Sequence, residues 1–146
     1  MKQNFIFILI LTSFSIAAWS KPIKLAYGGQ VNLDLKEWEV VDTKQMVENI
    51  PQSFVHKKHS DLKGWLFGGM PDSIAKCPKP SKSSFGVCSE SMEKDNLIHY
   101  QIILTREVDK KSFQNYLISF SFSKNEKLKY SPLVEAFITQ IGSSKL

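Results

Sequence analysis

The sequence predicts an α+β fold: one domain in which helices pack on an antiparallel β-sheet. Three patterns carry this. In residues 116–122, Ile118, Phe120 and Phe122 alternate with Ser119 and Ser121, the period of a strand with one buried face. Residues 97–105 repeat it, with Ile98, Tyr100, Ile102 and Leu104 on one face and His99, Gln101, Ile103 and Thr105 on the other. Beyond residue 131, Leu133, Val134, Phe137, Ile138 and Ile141 recur at helical spacing, so the last strand leads into an amphipathic helix that covers it.

The chain opens with Met1-Lys2-Gln3-Asn4, an apolar run over 5–11, and the small-x-small exit Ala18-Trp19-Ser20. That order is the signature of a secretory leader, here residues 1–20, with the domain over 21–146. The run is shorter than the ~20 residues of a membrane span, so no span is expected. After Gly28-Gly29, Val31, Leu33 and Leu35 alternate with Asn32 and Asp34, giving a strand over 30–35, and a second short run follows over 38–41. Asp42 and Gln45 form a capping box for a short helix carrying Met46, Val47 and Ile50 as far as Pro51. Residues 53–57 and 64–67 read as two further strands, and Gly68-Gly69-Met70-Pro71 breaks the second.

Residues 71–96 read as the longest irregular region. They hold both cysteines, Cys77 and Cys88, and two cysteines in an exported chain point to one disulfide rather than two free thiols. The bridge closes the loop CPKPSKSSFGVC, too polar to pack by itself. The polar link over 106–112 is expected to form one helical turn or a wide hairpin loop, leaving 97–105 and 116–122 as adjacent antiparallel strands. At the end of the chain, Ser131 is placed to cap the helix, Pro132 takes a first-turn position that needs no donor, and Gly142 is a natural left-handed stop.

The strand 30–35 followed by Trp38, the strand 97–105, and the closing unit of strand 116–122, charged turn 124–129 and helix 132–141 ending in Gly142-Ser143-Ser144 resemble the PsbP-like proteins. Lys36-Glu37 stands where that family usually has Pro-x-Gly before the tryptophan. The resemblance implies an α/β/α sandwich, shared with a Ran-binding nuclear transport factor, and an accessory or binding role without catalytic residues.

The formal charge is +5, or +4 without the lysine of the leader, and acids are interleaved with bases throughout. There is no basic arm for nucleic acid. His56, His59 and Asp61 have metal-like spacing, but residues three apart on a strand face opposite sides, and Lys57 and Lys58 would repel a cation. Glu90, Glu93 and Asp95 form a carboxylate cluster of the kind glycoside hydrolysis uses, set in a stretch polar enough to be a solvated loop. No serine-nucleophile elbow and no phosphate-cradling glycine loop occurs, and no cofactor is expected. Recognition by the stapled loop fits better: Lys76, Lys79, Lys82 and Phe85 sit on a tethered excursion, with Trp65 and Phe67 behind it. The reading is an exported, non-enzymatic binding or accessory protein with another envelope or secreted protein as partner. The rivals are a small hydrolase using the histidine or carboxylate cluster, and an inhibitor that inserts the loop into a target.

Overall fold

A computed structural model of the protein describes residues 20–34, 36–42 and 52–144; the expected leader, apart from its last residue Ser20, and the short helix over 43–50 lie outside them. The fold is α+β. A hairpin of β1 (Ser20–Lys24) and β2 (Gln30–Asp34) stands apart from a six-stranded sheet of β3 (Trp38–Asp42), β4 (Gln52–His56), β5 (His59–Asp72), β6 (Gly86–Lys94), β7 (Leu97–Asp109) and β8 (Ser112–Ser123), and one helix, α1 (Lys127–Gly142), closes the chain. The sheet order is β3-β4-β5-β8-β7-β6, and every neighbouring pair is antiparallel.

Alternation decides which face is buried. Val40, Phe54, Gly64, Phe120, Tyr100 and Ser91 stand in one row across all six strands, and Leu66, Ile118 and Ile102 in the next. On these rows α1 lays Tyr130, Val134, Phe137 and Ile141, while β2 adds Val31 and Leu33; all belong to one buried cluster. Phe137 meets Trp38, Phe54 and Phe120 at ring separations of 4.9, 5.2 and 5.1 Å, edge to face, the arrangement that aromatic quadrupoles favour. The Phe120 ring lies directly over Gly64, where any Cβ would collide with it.

Four local expectations are corrected. The region 71–96 is irregular only over 73–85, because β5 resumes after a bulge at Gly68–Gly69 and β6 is a nine-residue edge strand. Its residues are mostly exposed on both faces, so no hydrophobic alternation marks it, and it turns into β7 through Asp95-Asn96, both at positive φ as a tight hairpin requires. The polar link over 106–112 is neither a helical turn nor a wide loop: β7 and β8 run on to a two-residue turn at Lys110-Lys111. The helix starts four residues before Ser131, because burying Tyr130 against Phe122 recruits one more turn. Ser131 is then interior, its buried hydroxyl without a partner, and Pro132 forfeits a helical bond. Gly142 is a helical residue, and the stop falls at Ser143, whose N–H donates to the Thr139 carbonyl at 3.2 Å.

Candidate functional site

The same strands that bury one face leave much of the other open to solvent, with Ser53 and Thr105 as buried positions on it. Val41, Ser53, Trp65, Ser119, Gln101 and Glu90 stand in register across six strands, followed by Phe67, Leu117, Ile103 and Cys88 on four. Phe67 is 46% exposed and Met92 48%, values at odds with an interior role. The covered face is continuous in Phe, Ile and Leu; the open face mixes aromatics with serine, glutamine and histidine.

Two shallow pockets lie along this face and share Gln101. One, of about 210 Å³, is lined by Asp61, Lys63 and Trp65 of β5, His99 and Gln101 of β7, and Ser119 and Ser121 of β8. It sits where pairing of β5 with β8 begins at Gly64 and Phe120, so the strands part below it. The second, of about 290 Å³, is lined by Phe67, Gln101, Ile103, Asn115 and Leu117, with Lys76 at its rim. Trp65 and Phe67 are two residues apart on one strand, and alternation places both side chains on this face, about 7 Å apart at the ordinary strand rise.

The rim is built by the disulfide. Cys77 and Cys88 are bonded, with Cα atoms 5.5 Å apart. The Cys77 N–H donates to Thr105 Oγ1 at 3.1 Å, the Thr105 hydroxyl donates to Asn115 Oδ1 at 2.7 Å, and the Lys76 N–H donates to the same oxygen at 3.3 Å. Asn115 Nδ2 in turn donates to the Ile74 carbonyl at 2.9 Å and to Asp72 Oδ2 at 3.2 Å. Thr105 and Asn115 face each other in register on β7 and β8, so the sheet itself holds the start of the loop. Gly86 lets the loop return: a Cβ there would meet the Pro78 carbonyl at 2.5 Å.

Of the residues singled out from sequence, Trp65, Phe67 and Lys76 meet on the open face. Lys79 and Lys82 are exposed on the loop beyond the pockets. Phe85 is not on this surface: it is 6% exposed and packs edge-on against Tyr116, anchoring the loop to the core. Gln101, Ser119, Ser121, Ile103, Leu117 and Asn115 were not selected from sequence. The alternation in β7 and β8 was the available signal, since it shows which residues lie opposite the buried ones.

The two alternative clusters do not assemble. His56 is 2% exposed, edge-on to Trp38 and stacked on His59 at 5.0 and 5.1 Å; its Nδ1 accepts the Lys58 N–H and its Nε2 lies 3.4 Å from Glu37. Asp61 instead accepts the Tyr130 hydroxyl, and this bond, with Lys129 and His59 nearby, holds its carboxyl below the usual range despite partial desolvation. The same bond pushes the Tyr130 phenol up, with burial adding to it. Glu90 and Glu93 point to opposite faces, in register with Gln101 and Ile98 respectively, and Glu93 is paired with Lys124, which lowers its pKa. Among the described residues, no group of three or more His, Cys, Asp or Glu side chains is placed to hold a metal ion.

One further pair has a catalytic look. Ser121 Oγ lies 3.2 Å from His99 Nδ1 in the smaller pocket. A serine nucleophile also needs an acid on the far imidazole nitrogen and free backbone N–H donors for an oxyanion. Here Ser121 and His99 are opposite residues of the β7–β8 ladder, which is what brings their side chains together on the sheet face. Comparison with known protein families and with curated proteins returned no match. No helix among the described residues is long and apolar enough to cross a membrane.

Proposed function

We propose that this protein is an exported, non-enzymatic binding or accessory protein of the cell envelope, and that it recognises its partner with the open face of the sheet and the disulfide-held rim. The carrying observation is the asymmetry of the sheet. One face is filled by α1 and the β1–β2 hairpin, whereas the other keeps Phe67 in solvent beside two pockets. Exposed aromatics beside ordered polar groups are the usual makings of a recognition surface. The leader-like first twenty residues and the disulfide support an oxidising compartment, and the PsbP-like resemblance supports an accessory role.

Affinity capture from envelope fractions with the mature, oxidised protein tests this. Retention is expected for the wild type, with loss in Trp65→Ser/Phe67→Ser and on reduction of the disulfide. Retention unaffected by the double substitution would overturn the assignment of the face. Lys79→Glu/Lys82→Glu measures how far the contact extends along the loop.

A further inference from the structure

We propose that the end of the sheet where the stapled loop meets the β7–β8 turn docks on an anionic lipid surface, a contact separate from the recognition face. The topology makes this end one patch. Asp72, the last residue of β5, stands opposite Phe113 of β8, and Phe113 stands opposite Glu107 of β7. Ile74, just beyond β5, and Val108, at the β7 bulge, are therefore about two strand spacings apart, roughly 10 Å. The loop reaches the same place: the Asp109 carboxyl, held below its usual range chiefly by the Ser112 hydroxyl, also feels the charge of Lys82.

Charge is the first reason. Residues 71–85 and 106–114 carry Lys76, Lys79, Lys82, Arg106, Lys110 and Lys111 against Asp72, Glu107 and Asp109, a formal +3 out of the +4 of the chain without its leader. All five lysines are exposed, whereas Asp72 and Glu107 are half-buried. Asp72 also accepts the Ile74 N–H at 3.1 Å and the Asn115 amide, and Arg106 turns inward to the Gly28 carbonyl and Gln114. What this end turns to solvent is thus five ammonium groups and one exposed acid, Asp109. Lysines suit a headgroup layer because point charges on flexible stems need no fixed geometry in their partner.

The apolar tips are the second. Ile74 is 64% exposed and Val108 41%, each within two residues of a lysine. Leu128, at the opposite end, is 94% exposed and also flanked by lysines, but Lys124 and Lys127 are paired with Glu93 and Lys129 with Glu126. Charge and apolar exposure therefore coincide without compensation only at the loop and turn. The two pockets lie along the open face, so a protein's anchor side chain has no recess to fill here. A bilayer interface needs none: it takes apolar side chains that protrude between cations.

The test is flotation of the mature, oxidised protein with vesicles of phosphatidylcholine alone or of equal parts phosphatidylcholine and phosphatidylglycerol. Binding to the anionic vesicles is expected, weakening steeply with salt, and little to the neutral ones. Lys79→Glu/Lys82→Glu, which takes the formal charge of this end from +3 to −1, and Lys110→Glu/Lys111→Glu are each expected to weaken it by about tenfold or more. Ile74→Ser/Val108→Ser is expected to weaken it by about fivefold, through the apolar area withdrawn from the interface. Leu128→Ser and Trp65→Ser/Phe67→Ser should leave it within about twofold, since neither changes the charge or the tips of this end. Circular dichroism of each variant separates lost binding from lost folding.

Equal binding to neutral vesicles, or none to anionic ones, would overturn the proposal. Binding that survives both lysine reversals, or that is lost in Trp65→Ser/Phe67→Ser, would overturn it by moving the contact off this end. Full binding of Ile74→Ser/Val108→Ser, together with displacement of the vesicles by poly-glutamate, would overturn it in favour of an acidic protein.

Discussion

The two faces of β8 are made by neighbouring residues with opposite fates. Ile118, Phe120 and Phe122 are almost fully buried, whereas Leu117, Ser119 and Ser121 keep contact with solvent and line the pockets. Backbone, register and strand partners are common to both sets. The difference lies in what lies above: α1 and the β1–β2 hairpin on one side, and among the described residues only the rim of the stapled loop on the other. Stability is therefore concentrated on one face, which leaves the composition of the other free to serve recognition.

That contrast breaks most visibly in the core. Phe120→Ala removes a ring that touches both Trp38 and Phe137, and is expected to lower the unfolding free energy by ~3–5 kcal/mol in urea melts. A loss below about 1 kcal/mol, the scale of a typical surface change, would mean that the covered face is not the core. Next comes the staple. Cys77→Ser/Cys88→Ser opens a loop whose ends are 11 residues apart in sequence, and should lower stability by about 3 kcal/mol on the chain-entropy estimate.

Asn115→Ala sharpens the comparison at the rim. It deprives the Thr105 hydroxyl and the Lys76 N–H of their acceptor and the Ile74 carbonyl of its donor, and a loss of ~1–3 kcal/mol is expected by thermal and urea melts. Phe67→Ala, on the open face, should change stability by less than about 1 kcal/mol while weakening binding. The smallest effect is at Asp61. Its carboxyl has a lower pKa folded than unfolded, chiefly through the Tyr130 hydroxyl, so its stabilisation is present above the ordinary carboxylate range and is lost as pH falls through the lowered value. In acid titrations, Tyr130→Phe should shrink that part of the stability loss; an unchanged acid limb would show that the bond contributes nothing.

The fold was legible where burial writes a pattern. Both faces of β7 and β8, their pairing, and most of the helix stripe follow from residues such as Phe120, Ile102 and Phe137, because each must alternate or recur to reach the core. β6 was not legible, since an edge strand with polar residues on both faces obeys no burial rule. The start of α1 was missed because Tyr130 is fixed by Phe122 of the preceding strand and by Asp61, 69 residues away, and these contacts override the capping signal at Ser131. At the site, Trp65, Phe67 and Lys76 stood out by type. Their neighbours Gln101, Ser119 and Asn115 are ordinary residues whose importance comes from register alone, and Phe85 was misjudged because its loop turns it inward to Tyr116.

The most direct measurement is methyl and amide NMR of the oxidised, mature protein during titration with the envelope material retained in the capture experiment. Shifts should concentrate on the Leu117 and Ile103 methyl groups, the Trp65 indole N–H and the Lys76 amide, and leave the Ile118 and Ile102 methyl groups on the covered face nearly still. Perturbations centred instead on the β1–β2 hairpin, on α1 or on the edge strand β6 would contradict the assignment of the open face as the surface that binds.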